Sequence, residues 1–230
     1  MNGLDFSVVA DALPYLWKGL QFSLTLTVVA FAAGLVLGVA LALVQHLEVP
    51  VLSPLAKVYV AIMRSIPLIM VLFWFFFLVP LIIGAMMNSG RPVPIGGLWT
   101  AIITFSLFEA AYYSEIIRVG LRSVNKGQYE AAKALSLSTA TTYRSIVLPQ
   151  VFRITSPIIL NQTIILFQDT SLVYVLSLTD LTGAASKIAQ LNGTLVEMYL
   201  FIALVYLVIC TSASQLVAVL RKRTRIATTR

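Results

Sequence analysis

Residues 130–150 read EAAKALSLSTATTYRSIVLPQ, a polar, helix-prone island in a chain that is otherwise apolar. Ala131, Ala134, Leu135 and Leu137 recur at helix-like intervals, and Pro149 predicts a stop just before the next apolar run. Hydrophobic membrane candidates lie on both sides. The island is therefore predicted to be where the chain touches a soluble partner, with the flanking segments forming a membrane part.

Composition agrees. Of 230 residues, 59% are hydrophobic and 11% charged, and the mean hydropathy is +0.93. A soluble domain carries roughly 25% charged residues, so the deficit points to an integral membrane protein built as one bundle over 1–230. The net charge of +7 does not imply nucleic acid, because the basic residues cluster at the ends of hydrophobic runs. Cys210 is the only cysteine and can form no internal disulfide. The first twenty residues lack a basic n-region and a small-residue cleavage site, so no removable signal peptide is expected.

Spans are predicted at about 19–44, 55–83, 98–117, 154–178 and 198–220, since roughly 20 apolar residues cross a bilayer. Residues 5–20 read as an interfacial helix interrupted near Pro14, or as a short ordered tail. Gly34, Gly38 and Ala42 fall at four-residue intervals, so the first helix is expected to pack closely on protein there. His46 reads as a solvated residue of a short connection. Pro54 suits the first turn of the second helix, and Pro67 is expected to bend it. Residues 84–97 and 179–195 read as loops. The stretches 118–153 and 221–230 together hold eleven of the sixteen Lys and Arg. Placing both in the cytoplasm satisfies the positive-inside rule and fits an odd span number. The N-terminus is then outside, the C-terminus inside, and the island cytoplasmic.

The island also resembles a known element. Glu130-Ala131-Ala132, a small residue at 136, Ile146 and Leu148-Pro149 have the spacing of the EAA loop of ATP-binding-cassette (ABC) importer permeases. RSIPL at 64–68, YYSEIIR at 112–118, GQ at 127–128, LPQ at 148–150 and DTSL at 169–172 resemble the polar amino-acid branch of that family. FWFFFLVP at 73–80, FEAAYYSEIIR at 108–118 and FQDTSLVYVLSL at 167–178 are similar to the permease subunits of bacterial glutamate/aspartate importers. Two positions depart from the wider pattern. Ser136 stands where Gly is usual and is mildly strained if the turn needs a positive φ. Gln168 stands where many branch members have Lys, although the glutamate/aspartate permeases share Gln.

The resemblance implies an all-α membrane protein of the type I importer permease kind, with five transmembrane helices and a cytoplasmic coupling helix inside the loop 126–150. It implies a bacterial inner-membrane location, a second permease subunit or a copy of this one, an ATP-binding-cassette ATPase dimer, and an extracytoplasmic amino-acid-binding protein. Glu130, Ala131, Ala132, Ser136 and Leu137 are the expected ATPase-coupling residues. No GxxxxGK[S/T] loop is present, so ATP hydrolysis falls to a partner, and no catalytic set, cofactor or metal is expected.

Polar residues inside the predicted spans are candidates for a substrate path or gate: Arg64, Glu109, Gln168, Asp169, Thr170 and Ser171. Arg64 has two readings, attraction of an acidic substrate or an ion pair with Glu109 or Asp169. Glu115 and Arg118 stand one helical turn apart and can pair. Asp169, Thr170 and Ser171 read either as caps of a broken helix or as substrate contacts. A rival reading is an ion-coupled transporter or passive channel with Arg64, Glu109 and Asp169 as relay groups. Such a protein has no need of an island that docks an ATPase.

Overall fold

Small residues decide how the first helix packs. The computed structural model describes residues 6–88 and 90–226, with side chains as far as Arg221. Asp5 and the side chains of the basic run after Arg221 lie outside the described residues. Helix α1, Ser7–His46, buries Gly19, Ser23, Ala30, Gly34, Gly38 and Ala42 along one face. Opposite it runs α5, Gly97–Ser123. A Cβ added at Gly38 would stand 2.8 Å from the Tyr113 Cβ, and one at Gly34 3.0 Å from the Glu109 Cβ. The two backbones thus approach as the small-residue spacing predicts. At 1.5 Å per residue the 40 residues of α1 span about 60 Å. The helix runs unbroken through Pro14, so the expected interruption there is absent.

Among the described residues, four stretches are long and apolar enough to cross a membrane: Ser7–His46, Leu68–Met86, Thr139–Leu176 and Leu195–Arg221. The span expected at 98–117 lies in α5, which is not among them. Its 27 residues carry Thr100, Thr104, Ser106, Glu109 and Ser114, all buried. A helix enclosed by its neighbours need not be apolar on every face.

The span expected at 55–83 divides. Helix α2, Leu52–Ser65, ends where Ile66 turns extended before Pro67, a residue that disfavours helix just ahead of it. Pro67 therefore breaks the helix instead of bending it. Helix α3, Leu68–Phe73, a π-helical turn Trp74–Leu78 and α4, Val79–Met86, follow as one rod. Val51, with φ +67, leads into α2, and the Tyr59 hydroxyl donates to the Leu107 carbonyl at 2.5 Å, tying α2 to α5.

Past α5 come α6, Lys126–Ala134, and α7, Thr139–Thr142. A second π-helical turn, Tyr143–Val147, leads into α8, Leu148–Asp169. Pro149 therefore does not stop a helix. It sits in the first turn of α8, directly after the π turn, as Pro80 sits after Trp74–Leu78. A proline cannot donate to the carbonyl four residues back and its ring collides with it. Widening the turn just before the proline accommodates both defects. At Pro157, inside α8, the carbonyl four residues back is that of Arg153, and the Ser156 hydroxyl donates to it at 3.2 Å.

Thr170–Leu176 continues α8 as a tighter 3₁₀ helix, and Ser177, with φ +61, turns the chain. The region 179–195, expected as a loop, is instead largely helix α9, Leu181–Asn192, packed on α1 and on α10, Leu195–Ile226. Its burial is set by Leu181, Ala184, Ala185 and Ala189, whose apolar surface joins Leu16 and Met198. Two further clusters complete the core. One gathers Leu26, Leu72, Phe105, Leu166 and Val173, and the other Ala42, Tyr113, Ile117, Val147 and Val151.

Candidate coupling surface and transport path

Helix α6 begins at Asn125, whose side-chain oxygen accepts from the Gly127 amide at 2.8 Å, the usual use of Asn before a helix. It ends in a left-handed turn. The Leu137 amide donates to the Ala132 carbonyl at 3.0 Å and the Ser136 amide to the Lys133 carbonyl at 2.9 Å, a Schellman arrangement. Ser136 holds φ +54, so the positive φ that makes glycine usual here is real, and a serine bears it. Ser138 then caps α7, accepting from the Thr141 amide at 3.2 Å.

Of the five coupling candidates, Glu130, Ala131, Ser136 and Leu137 are exposed. Ala132 is 2% exposed and faces its own subunit, so it cannot belong to an outward docking face. Leu135, at the end of α6, is 73% exposed and extends the apolar surface of the turn. Its place in the helical spacing was the signal for it. Tyr129, half-buried on α6, donates to the Leu121 carbonyl at 3.3 Å. Burial, then the neighbouring Tyr143, raises its phenol above the ordinary value, so it stays neutral. His46 is not a solvated loop residue. It is the half-buried last residue of α1, packed against Tyr129 and Tyr143.

The path candidates separate into two groups. At the end of α2, Arg64 is 42% exposed in its side chain. It pairs with neither Glu109 nor Asp169. Its guanidinium lies 5.6 Å above the Tyr112 ring and 3.8 Å from Glu115 Oε2. Arg118 Nε also donates to Glu115 Oε2, at 2.9 Å, so one carboxylate serves two arginines. The predicted pairing of Glu115 with Arg118 is present.

Glu109 is 1% exposed. Gln162 Nε2 donates to its Oε1 at 3.1 Å, while Oε2 has no hydrogen-bond partner within 3.5 Å among the described residues. A buried carboxylate oxygen left this way is costly, and it marks a place where a donor group gains by entering. Asp169, half-buried at the end of α8, makes no capping bond to the helix that follows. Thr170 is wholly buried and donates to the Phe167 carbonyl at 2.6 Å, which makes it part of the helix bend. Ser171 is half-buried and Gln168 exposed. Glu109, Asp169 and Arg64 all act electrostatically on Tyr112, so these groups share one neighbourhood.

Asp180 was legible only as a loop residue. Fully buried, it accepts from the Gly183 and Thr182 amides, both at 2.9 Å, and starts α9. The Leu181 amide donates to Ser23 Oγ at 3.2 Å, which ties this start to α1. An Asp directly before a run of small and apolar residues was the signal available.

Comparison with known proteins bears on the whole chain. Residues 34–226 match the family model "Binding-protein-dependent transport system inner membrane component". The glutamate/aspartate import permease protein GltK of Escherichia coli O157:H7 is 46% identical over 224 residues, covering 97% of this chain and all of that protein. The L-cystine transport system permease protein TcyL of Bacillus subtilis is 32% identical over 206 residues, 89% of this chain and 85% of its own length. The crystal structure of an amino acid ABC transporter with histidines superposes with a TM-score of 0.81 at 27% identity, covering 96% of this chain and all of that one. The MetNI methionine ABC transporter, at 18% identity, TM-score 0.69 and coverage of 90% and 96%, shares the fold. With a helical membrane architecture and a family match across most of its length, the chain belongs to the binding-protein-dependent transport system inner membrane components.

Proposed function

We propose that this permease subunit carries L-glutamate and L-aspartate inward by alternating access, driven by a separate ATPase that docks on the exposed surface of α6 and its terminal turn. The carrying observation is identity of 46% with a glutamate/aspartate import permease across essentially the full length of both chains. A second permease subunit, an ATPase dimer and an extracytoplasmic binding protein complete the importer, and the C-terminus and α6 share the cytoplasmic side. Closure of the ATPases on ATP moves α6, and the helices on either side of it follow as rigid bodies.

Arg64, Glu109 and Asp169 give the path a mixed character suited to an α-amino acid. Arg64 offers a partly exposed guanidinium to a carboxylate, and Glu109 Oε2 offers an unpaired acceptor to an ammonium group. Gln168 and Ser171 stand beside Asp169, while Thr170 holds the bend that presents them. Competition tests the substrate class. Uptake of labelled glutamate by the complete importer should be suppressed by unlabelled aspartate and left unchanged by arginine or cystine. Suppression by arginine or cystine but not aspartate would reject an acidic substrate.

A further inference from the structure

Helix α6 has few grips on its own subunit. Of its nine residues, only Ala132 is buried and only Tyr129 half-buried. The Tyr129 ring centroid lies 6.0 Å from that of Tyr143 and 6.4 Å from that of His46. His46 in turn meets Tyr143 edge-on at 6.0 Å, which closes a triangle of three rings. Each ring comes from a different element. His46 ends α1, Tyr129 is on α6, and Tyr143 opens the π turn that leads into α8. One residue before His46, Gln45 Nε2 donates to Ser114 Oγ at 3.0 Å, which fixes this end of α1 to α5.

We propose that His46 is a positioning residue that passes the movement of α6 to α1, through its ring contacts with Tyr129 and Tyr143. The proposal rests on the reading that α6 docks on the ATPase. A push on α6 leaves it through the chain at its two ends, which lead to α5 and α8, through buried Ala132, through Gln128, whose Oε1 accepts from Gln150 Nε2 of α8 at 3.5 Å, and through Tyr129. The chain ends reach α1 only by way of α5, which packs along it, whereas His46 meets α6 at α1's own C-terminal end. Tilted and edge-on ring pairs at these separations are favourable contacts with a preferred geometry, so they resist sliding. Because α1 lies close against α5 at Gly34 and Gly38, a shift imposed at His46 carries a rigid helix with it.

The test uses the complete importer, with its partner permease, ATPase and binding protein, reconstituted in vesicles with His46→Ala or His46→Phe. ATPase co-purification, ATP hydrolysis and amino acid imported per ATP are measured per assembled permease. His46→Ala should keep ATPase stoichiometry and hydrolysis but import at least about fivefold less per ATP, the lower end of measured coupling effects. His46→Phe, which keeps a ring, should restore most of that ratio. Tyr143→Leu, which opens the triangle from the other side, should show the same loss. Unchanged import per ATP in His46→Ala and Tyr143→Leu, a Phe variant as poor as the Ala variant, or loss of ATPase association in His46→Ala would each overturn the proposal. Leu135→Glu in the same complex separates the two claims. If it leaves ATPase association intact, the docking reading fails whatever His46 does.

Discussion

Ser136 joins sequence to geometry in a single torsion. Its φ of +54 is the conformation that favours glycine, and a Cβ there costs about 1 kcal/mol. Ser136→Gly is expected to leave transport intact and change stability by no more than about 1 kcal/mol, because relief of strain is offset by a more flexible unfolded chain. Ser136→Val, with a β-branched side chain in the same torsion, should lower ATPase association, measured by co-purification. The need for a conditional glycine was readable from the sequence, since only the torsion was missing. The partner of Arg64 was not readable. Glu109 and Asp169 were its expected partners, but the break at Pro67 leaves Arg64 at the end of α2, where Glu115 and Tyr112 meet it. Arg64→Ala should therefore cost little stability, as a half-exposed ion pair contributes roughly 0–1 kcal/mol. Its predicted effect is on uptake per inserted molecule, a fall of at least about fivefold. Equal uptake would remove Arg64 from the path. At Glu109 the direction is the reverse. Gln162→Leu strips the amide donor from the buried carboxyl group of Glu109 and should destabilise the fold by about 1–3 kcal/mol, read as a lower thermal midpoint in detergent.

At the scale of elements, period and spacing carried most of the information. The small-residue face of α1 was legible because glycine and alanine at four-residue intervals have one efficient use between helices. Gly38→Leu should separate α1 from α5, since even a Cβ would stand 2.8 Å from that of Tyr113, and overpacking of this kind costs about 1–3 kcal/mol or more. A thermal midpoint equal to that of the unaltered protein would contradict so close a contact. The prolines were less legible. Pro67 breaks a helix, while Pro80, Pro149 and Pro157 remain inside helical rods, two of them directly after π turns. The outcome depends on whether the preceding turn widens, and a residue list does not show that. Helix α9 was missed for another reason. Its alanines and glycine have low hydropathy and short side chains, and their burial comes from α1 and α10, which are distant in sequence.

For the molecule as a whole, charge deficit, apolar runs and a polar island foretold a membrane bundle with a soluble partner. Α-helical spans at Leu68–Met86 and Leu195–Arg221 agree with that, and α5 escapes the hydropathy test because other helices enclose it. In the proposed mechanism the exposed turn at Leu135 and Leu137 and the polar groups at buried Glu109 and half-buried Asp169 have separate roles. The first is proposed to meet the driving partner, and the second the polar cargo. The most direct test is uptake of labelled L-glutamate by cells that make this permease, its partner permease and the binding protein, with and without the cognate ATPase. Uptake should fall to background without the ATPase and return when it is restored. Uptake that continues unchanged without it would contradict an ATP-driven permease and favour a channel or ion-coupled carrier.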